Sequence, residues 1–245
     1  MNLHIHWSAQ TTSTNQLAAS SSAAPWTVWV TDHQTQGRGR LAQGERRVWH
    51  DPPGKSLLMS VTAEPRLPLH AAPRLTLAAG VAVAEILAEV TGVHAQLKWP
   101  NDIVVGDRKL GGILVESATV GGQLRATVGI GINVNVRPGE LPATLESTAT
   151  SLLIETGHSH DRLQLIPRIV AALRDAFGIL EDHGGELGPL HSRWNTLSAI
   201  EGRAILVDGA TATAISLASG GGLLIRRPDG SQDTVENGVV TWKPL

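Results

Sequence analysis

Residues 98–116 read KWPNDIVVGDRKLGGILVE, and the parsing of this stretch decides what kind of sheet the chain builds. A strand over 95–99 is expected to end on Trp99. Pro100 has no amide proton for a central ladder, so the strand is interrupted there, and Asn101 and Asp102 fall in a turn, where short polar side chains are favoured. Further strands are expected at 113–117 and 124–134, with Gly121-Gly122 as the turn between them. Strands joined this closely give antiparallel pairs, not the regular alternation of a βαβ fold.

The flanks fill in the rest. SLLMSVTA (56–63) and WTVWVTDH (26–33) read as strands, and between them residues 34–53 form a polar, Gly- and Arg-rich stretch without a sustained period. A loop of that length in a compact domain is functional or disordered. Leu77, Val81, Ala84 and Leu87 or Ala88 recur at helical spacing over 73–90, and a longer set from Leu163 to Leu180 predicts a helix over 161–183 that opens on Asp161 and Gln164. Ser13 or Thr14 can cap a short helix. After Trp194 the texture changes to short β-like pieces at 204–207, 211–219, 223–227 and 239–242, separated by Asp-Gly and Gly-Gly-Gly turns. This predicts a main unit over 1–196 and a small all-β barrel of about five strands over 197–245.

Composition narrows the partners. The 245 residues carry 20 Lys plus Arg against 22 Asp plus Glu, so there is no basic excess for tracking DNA phosphates. The absence of cysteine excludes disulfides and thiolate chemistry. The first residues, MNLHIHWSAQ, do not form a secretory signal, and Glu85 and Glu89 interrupt the most apolar run. A cytoplasmic protein with no membrane span is expected. His4-x-His6 and His158-x-His160 lack companion ligands, so no zinc site is expected, and no G-x-S-x-G elbow supports a serine triad.

Three features can carry chemistry. Gly37-Arg38-Gly39-Arg40 either binds an anion through freed amides and guanidinium groups or is a solvated basic loop; it is neither a Walker loop nor a dinucleotide fingerprint. Lys109, before Leu110-Gly111-Gly112, is either a point-charge clamp on a carboxylate or phosphate or a surface lysine. Gly129 and Gly131 leave a slot beside one face of a strand, bordered by Asn133, for a ligand or for close packing.

Together these motifs place the chain in a family. Ser13-Thr14-Asn15, Gln34 with Gly37-Arg38-Gly39-Arg40, Lys98-Trp99-Pro100-Asn101-Asp102, Lys109-Leu110-Gly111-Gly112-Ile113-Leu114-Val115-Glu116 and Gly129-Ile130-Gly131-Ile132-Asn133 resemble, in order and spacing, the biotin protein ligases. The resemblance implies an α+β fold: a mixed sheet flanked by helices, like that of class II aminoacyl-tRNA synthetases, followed by an SH3-like barrel. It implies that biotin and ATP, with Mg²⁺, give biotinyl-5′-AMP, and that a lysine of a carboxylase carrier domain then takes the biotinyl group.

Residue by residue, the resemblance implies that Lys109 holds the biotin carboxylate near the α-phosphate, while Arg38 and Arg40 order the loop over the intermediate. Ser13, Thr14, Asn15, Gln34, Gly37, Gly112 and Gly129 would line the biotin pocket with Arg38 and Lys109. Gly39, Trp49, Lys98, Asn101, Asp102 and Asn133 would border the nucleotide with Arg38 and Arg40. Magnesium is expected to arrive with ATP, not on a protein-only site. Two departures stand out: Thr12 precedes Ser13 where the family often has an acid, and eight residues separate Arg40 from Trp49. No helix-turn-helix segment precedes the first motif, so a repressor function is not expected. The family allows a homodimer. A lipoate or octanoate ligase is the neighbouring alternative, and a non-catalytic biotin- or nucleotide-binding module the alternative from another class.

Overall fold

A computed structural model describes residues 3–42 and 45–242. In chain order, β1 (Ile5–Ser8), α1 (Thr14–Ser20) and β2 (Val28–Thr31) lead to the hairpin strands β3 (Arg38–Ala42) and β4 (Glu45–Val48), then β5 (Ser56–Ala63) and α2 (Ala72–Thr91). They are followed by β6 (Gln96–Lys98), β7 (Asp102–Val105), β8 (Arg108–Val120) and β9 (Gln123–Asn133). Helices α3 (Ala143–Glu146), α4 (Leu152–Thr156), α5 (Arg162–Asp182) and α6 (Pro189–Thr196) precede β10 (Ala204–Val207), β11 (Ala210–Leu217), β12 (Leu223–Arg226), β13 (Gln232–Val235) and β14 (Val240–Trp242).

The main sheet has seven strands in the order β1-β2-β5-β9-β8-β7-β6. Only the β1–β2 pair is parallel, so the sheet is mixed, as the sequence predicts. Every residue of β5 is buried, which is why SLLMSVTA lacks a polar face: both sides of this central strand are covered. Ser60, in its middle, bonds to Thr14 and Asn15 of α1. α2 and α5 pack on the other side, where Gly80 lets the helix come within reach of Leu97. The run Leu69–Thr91 is long and apolar enough to cross a membrane, yet most of it is buried in this core. Gly92, at φ +71°, closes α2 in the left-handed conformation that glycine adopts without strain.

The structure revises the parsing of 98–116. Lys98 pairs with Asp102, and Asp102 pairs in turn with Gly112. Trp99-Pro100-Asn101, with a cis Trp99–Pro100 peptide, therefore forms the whole connection, and Asp102 opens a strand instead of completing a turn. β7 was hidden because its sequence is short and begins with a carboxylate, a residue type depleted in strands. The 34–53 stretch is likewise not featureless, since it carries the β3–β4 hairpin, with a register shift between Arg38 and Leu41.

The C-terminal strands pair antiparallel in the order β13-β12-β11-β10-β14. Among the described residues the edge strands β13 and β14 are not paired with each other, so this is an open sheet, not the closed barrel expected from the sequence. It shares a continuous hydrophobic cluster with the main sheet. The segment that leads into it is bonded to β6, Leu97 N–H to Leu197 O at 2.7 Å and Ala199 N–H to Leu97 O at 2.9 Å, and the Trp99 indole N–H donates to Gly221 O, between β11 and β12, at 3.0 Å.

Candidate functional site

The face of β5, β9 and β8 nearest α1 opens into a cleft of about 700 Å³, roofed by the β3–β4 hairpin and walled by Gly238–Trp242 of the C-terminal sheet. One end is neutral and tightly bonded. Ser13, Thr14 and Asn15, at the start of α1, are all nearly inaccessible to solvent. Gln34 Oε1 accepts the Thr14 backbone N–H at 2.9 Å. Ser60, on β5, lies 2.7 Å from both Thr14 Oγ1 and Asn15 Oδ1. A hydroxyl has one proton, and an amide oxygen only accepts, so the Ser60 proton goes to Asn15 and the Thr14 hydroxyl supplies the other bond. Asn15 Nδ2 donates to Leu114 O at 3.2 Å and to a Glu116 carboxylate oxygen at 2.8 Å. Asn15 is thereby fixed against Gly129, where a Cβ would stand 2.2 Å from Asn15 Oδ1.

Gln34 is held from behind as well. Its backbone N–H and His33 Nδ1 both reach Asp51 Oδ2, at 3.3 and 3.0 Å. The Asp51 side chain is 1% exposed, and burial pushes its carboxyl above the usual value while the two hydrogen bonds pull it back.

The other end is cationic. Lys109 makes a direct ion pair with Asp102 Oδ1, and Lys98 lies 4.0 Å from Asp102 Oδ2. The Lys109 backbone is bonded on both sides to the 148–150 segment, which aims its side chain inward. Arg40 donates to Gly238 O at 3.4 Å, and burial draws its guanidinium below the ordinary value, against the pull of Asp102. Lys98 is likewise lowered by burial, with Asp102 opposing and Lys109 and Arg47 adding repulsion. Arg38 lies over α1 and donates to Gln16 Oε1 at 3.3 Å. Lys98 and Lys109 share the Asp102 carboxylate, and with Arg38 and Arg40 nearby the arrangement favours an incoming polyanion.

The slot beside β9 is occupied by the chain's own side chains. Asn15 fills the space at Gly129, and the Trp49 indole lies against Gly131, where a Cβ would be 2.9 Å from Cζ2. Trp49 Nε1 and Asn133 Oδ1 are buried without hydrogen-bond partners among the described residues. Asn133 Nδ2 donates to Thr150 O at 2.9 Å, and Asn101 Nδ2 to Ile113 O at 2.8 Å.

Of the residues singled out in the sequence, Ser13, Thr14, Asn15, Gln34, Arg38, Gly39, Arg40, Trp49, Lys98, Asn101, Asp102, Lys109, Gly112, Gly129 and Asn133 all line this cleft. Gly37 does not. It is buried in the hairpin base, where a Cβ would meet Trp49 O at 2.7 Å, so its role is to admit the paired strand. Sequence reading missed Ser60, which is one of two serines in an apolar strand, and Arg47, which is one of several charges in the hairpin. It also missed Trp242, which is remote in the chain.

Residues 7–135 match the model of the biotin/lipoate A/B protein ligase family. The chain is 36% identical over 200 residues to the bifunctional ligase/repressor BirA of Bacillus subtilis, covering 80% of this chain and 60% of that protein; it thus spans about three fifths of the length of the first such relatives. It is 30% identical to the biotin–acetyl-CoA-carboxylase ligase of Paracoccus denitrificans, over 91% of this chain and 95% of that one. The biotin protein ligase of Aquifex aeolicus, solved with biotin and ATP, superposes with a TM-score of 0.83 at 27% identity, covering 97% of each chain.

Proposed function

The chain belongs to the biotin/lipoate A/B protein ligase family, and from that premise we propose that it converts biotin and ATP to biotinyl-5′-AMP and passes the biotinyl group to a carrier lysine. The observation that carries this reading is a single cleft with a neutral hydrogen-bonding end and a cationic end. The neutral end suits a ureido ring, which offers two donors and an acceptor on an apolar bicycle. The cationic end suits the phosphates.

In the first step a biotin carboxylate oxygen attacks the α-phosphorus; the new O–P bond forms as the bond to the β-phosphate oxygen breaks, and pyrophosphate leaves. Two anions must meet, so fixed cations that neutralise the growing charge lower the barrier. Lys109 and Lys98, sharing Asp102, are the groups for the carboxylate and the α-phosphate. Arg40, Arg38 and Arg47 on the hairpin cover the polyphosphate and then shield the anhydride from water. In the second step the carrier's ε-amine attacks the acyl carbon, the C–N bond forms, AMP leaves and the amine gives up a proton. No enzyme nucleophile is needed. The acceptor is the biotin carboxyl carrier domain of an acyl-CoA carboxylase, consistent with the name of the Paracoccus relative.

Finer attributions belong to the same proposal: a synthetase-like catalytic unit over 1–196, an SH3-like unit over 197–245, and a cytoplasmic setting. Among the described residues no three His, Asp or Glu side chains converge, and Asp102 is engaged by Lys109. Mg²⁺ would enter with the nucleotide, whose phosphates would hold it.

The test is incubation with ATP, Mg²⁺ and either biotin or lipoate, followed by detection of pyrophosphate and of label on a carrier domain. Biotin transfer is expected. Transfer of lipoate alone would replace this reading with that of a lipoate ligase, and tight biotin binding without pyrophosphate would reduce the chain to a binding module.

A further inference from the structure

Lys98 is poorly supplied with partners for a buried cation. Its side chain is 11% exposed, its nearest carboxylate oxygen is 4.0 Å away, and that carboxylate already pairs directly with Lys109. The groups that face it are Asp102 on β7, Lys109 on β8, Arg47 on β4 and Asp107 in the β7–β8 turn, so cations match anions in number around a desolvated ammonium. From the C-terminal sheet comes something different. The Trp242 ring on β14 has its centroid 5.1 Å from Lys98 Nζ. That ring is itself fixed: its indole N–H donates to Asp107 O at 3.1 Å, and the Arg203 guanidinium carbon lies 4.1 Å from its centroid. Arg203 is held in turn by Asp107, at 2.7 and 3.2 Å.

We propose that Trp242 is a positioning residue of the reaction, its aromatic face holding the Lys98 ammonium charged and directed into the cleft, so that the C-terminal sheet is a working part of the site. An aromatic face attracts a cation through its quadrupole, and does so more strongly where water is excluded. It accepts no proton and adds no negative charge to repel phosphate, which a second carboxylate beside Lys98 would do. The burial that lowers the Lys98 ammonium is the cost this contact offsets. The inference builds on the ligase reading above, but its first measurement is independent of it.

That measurement is the titration of Lys98 in the full chain labelled with ¹³C at the lysine Cε, with its signal assigned by loss in Lys98→Arg. Trp242→Leu and Trp242→Phe both lose the bond to Asp107 O, and only Phe keeps an aromatic face. The Lys98 midpoint is expected to fall by about 1 pH unit in Trp242→Leu and by less than half of that in Trp242→Phe. If Trp242→Leu does not fold, tetrafluorotryptophan introduced at position 242 keeps the shape while weakening the negative face, and the same fall is expected. The basic limb of biotin-dependent pyrophosphate exchange should move down by the same amount. An unchanged or raised midpoint with Leu or the fluorinated ring, or equal midpoints for Leu and Phe, overturns the proposal. A wild-type chain that makes no pyrophosphate overturns the ligase reading alone, and the titration still decides the role of Trp242.

Discussion

Gly129 on β9 and Asn15 on α1 occupy one space: a Cβ on the glycine would stand 2.2 Å from Asn15 Oδ1 and 2.9 Å from its Cγ. Asn15 cannot swing aside cheaply, because Ser60, Leu114 O and Glu116 hold it. Gly129→Ala is therefore expected to expel Asn15 from its network. Overpacking of this kind costs about 1–3 kcal/mol, and the Michaelis constant for biotin should rise about tenfold or more, on the scale of one lost buried hydrogen bond to ligand. Thermal melting with steady-state kinetics checks both, and wild-type values would show that the space is not shared in solution.

Ser60 is fully buried and links Thr14 to Asn15. Ser60→Ala leaves Asn15 Oδ1 short of its donor, at about 1–3 kcal/mol, while the Thr14 hydroxyl keeps Gln34 Oε1 as an acceptor at 3.3 Å. The loss acts on biotin binding in ground and transition state alike, so the expected signature is a raised KM for biotin with kcat nearly unchanged. A fall in kcat at constant KM would place Ser60 elsewhere in the chemistry.

Lys109 and Arg38 separate two uses of positive charge. Lys109 touches Asp102 beside the expected carboxylate position, so Lys109→Ala should slow adenylate formation about 10²–10³-fold, the scale for loss of one transition-state donor. Arg38 lies over α1 in the roof of the cleft, and Arg38→Ala should release the adenylate faster. Single-turnover formation and filter-retained adenylate measure the two. Both variants should melt near the wild type, since neither side chain is in the core.

Asp51 gives a pH signature. Burial raises its folded-state value above the usual 3.8. Its contribution to stability is then full below the unfolded value and is lost as pH rises through the raised folded one. Asp51→Asn keeps an oxygen for the Gln34 N–H and has no charge to desolvate. Its melting temperature should match the wild type near pH 4 and exceed it toward neutrality, by a margin on the order of a few °C. A scanning series across that range checks this, and a margin that shrinks with rising pH would contradict it.

Parts of this molecule were legible from local pattern. The helix over 161–183 was readable because its apolar residues recur every three and four positions, and β5 because a strand covered on both faces is apolar throughout. β1 was not legible, since its four residues are mostly exposed and lie at a sheet edge. β13 was missed for a similar reason: three of its four residues face solvent.

Local chemistry along the chain fixes which groups are available. Ser13, Thr14, Asn15 and Gln34 supply short-range polarity, Arg38, Arg40, Lys98 and Lys109 supply charge, and glycines at 112, 129 and 131 remove side chains from β8 and β9. Packing set what each group faces. It filled the glycine slot with Asn15 and Trp49, moved Gly37 out of the cleft into the hairpin base, gave Lys109 and Lys98 one carboxylate between them, and brought Trp242 across 144 positions of chain to Lys98. The difference is one of range. Periodicity and turn chemistry act over a few residues, whereas desolvation, ion pairing and ring contacts depend on distances that only the packed sheets set.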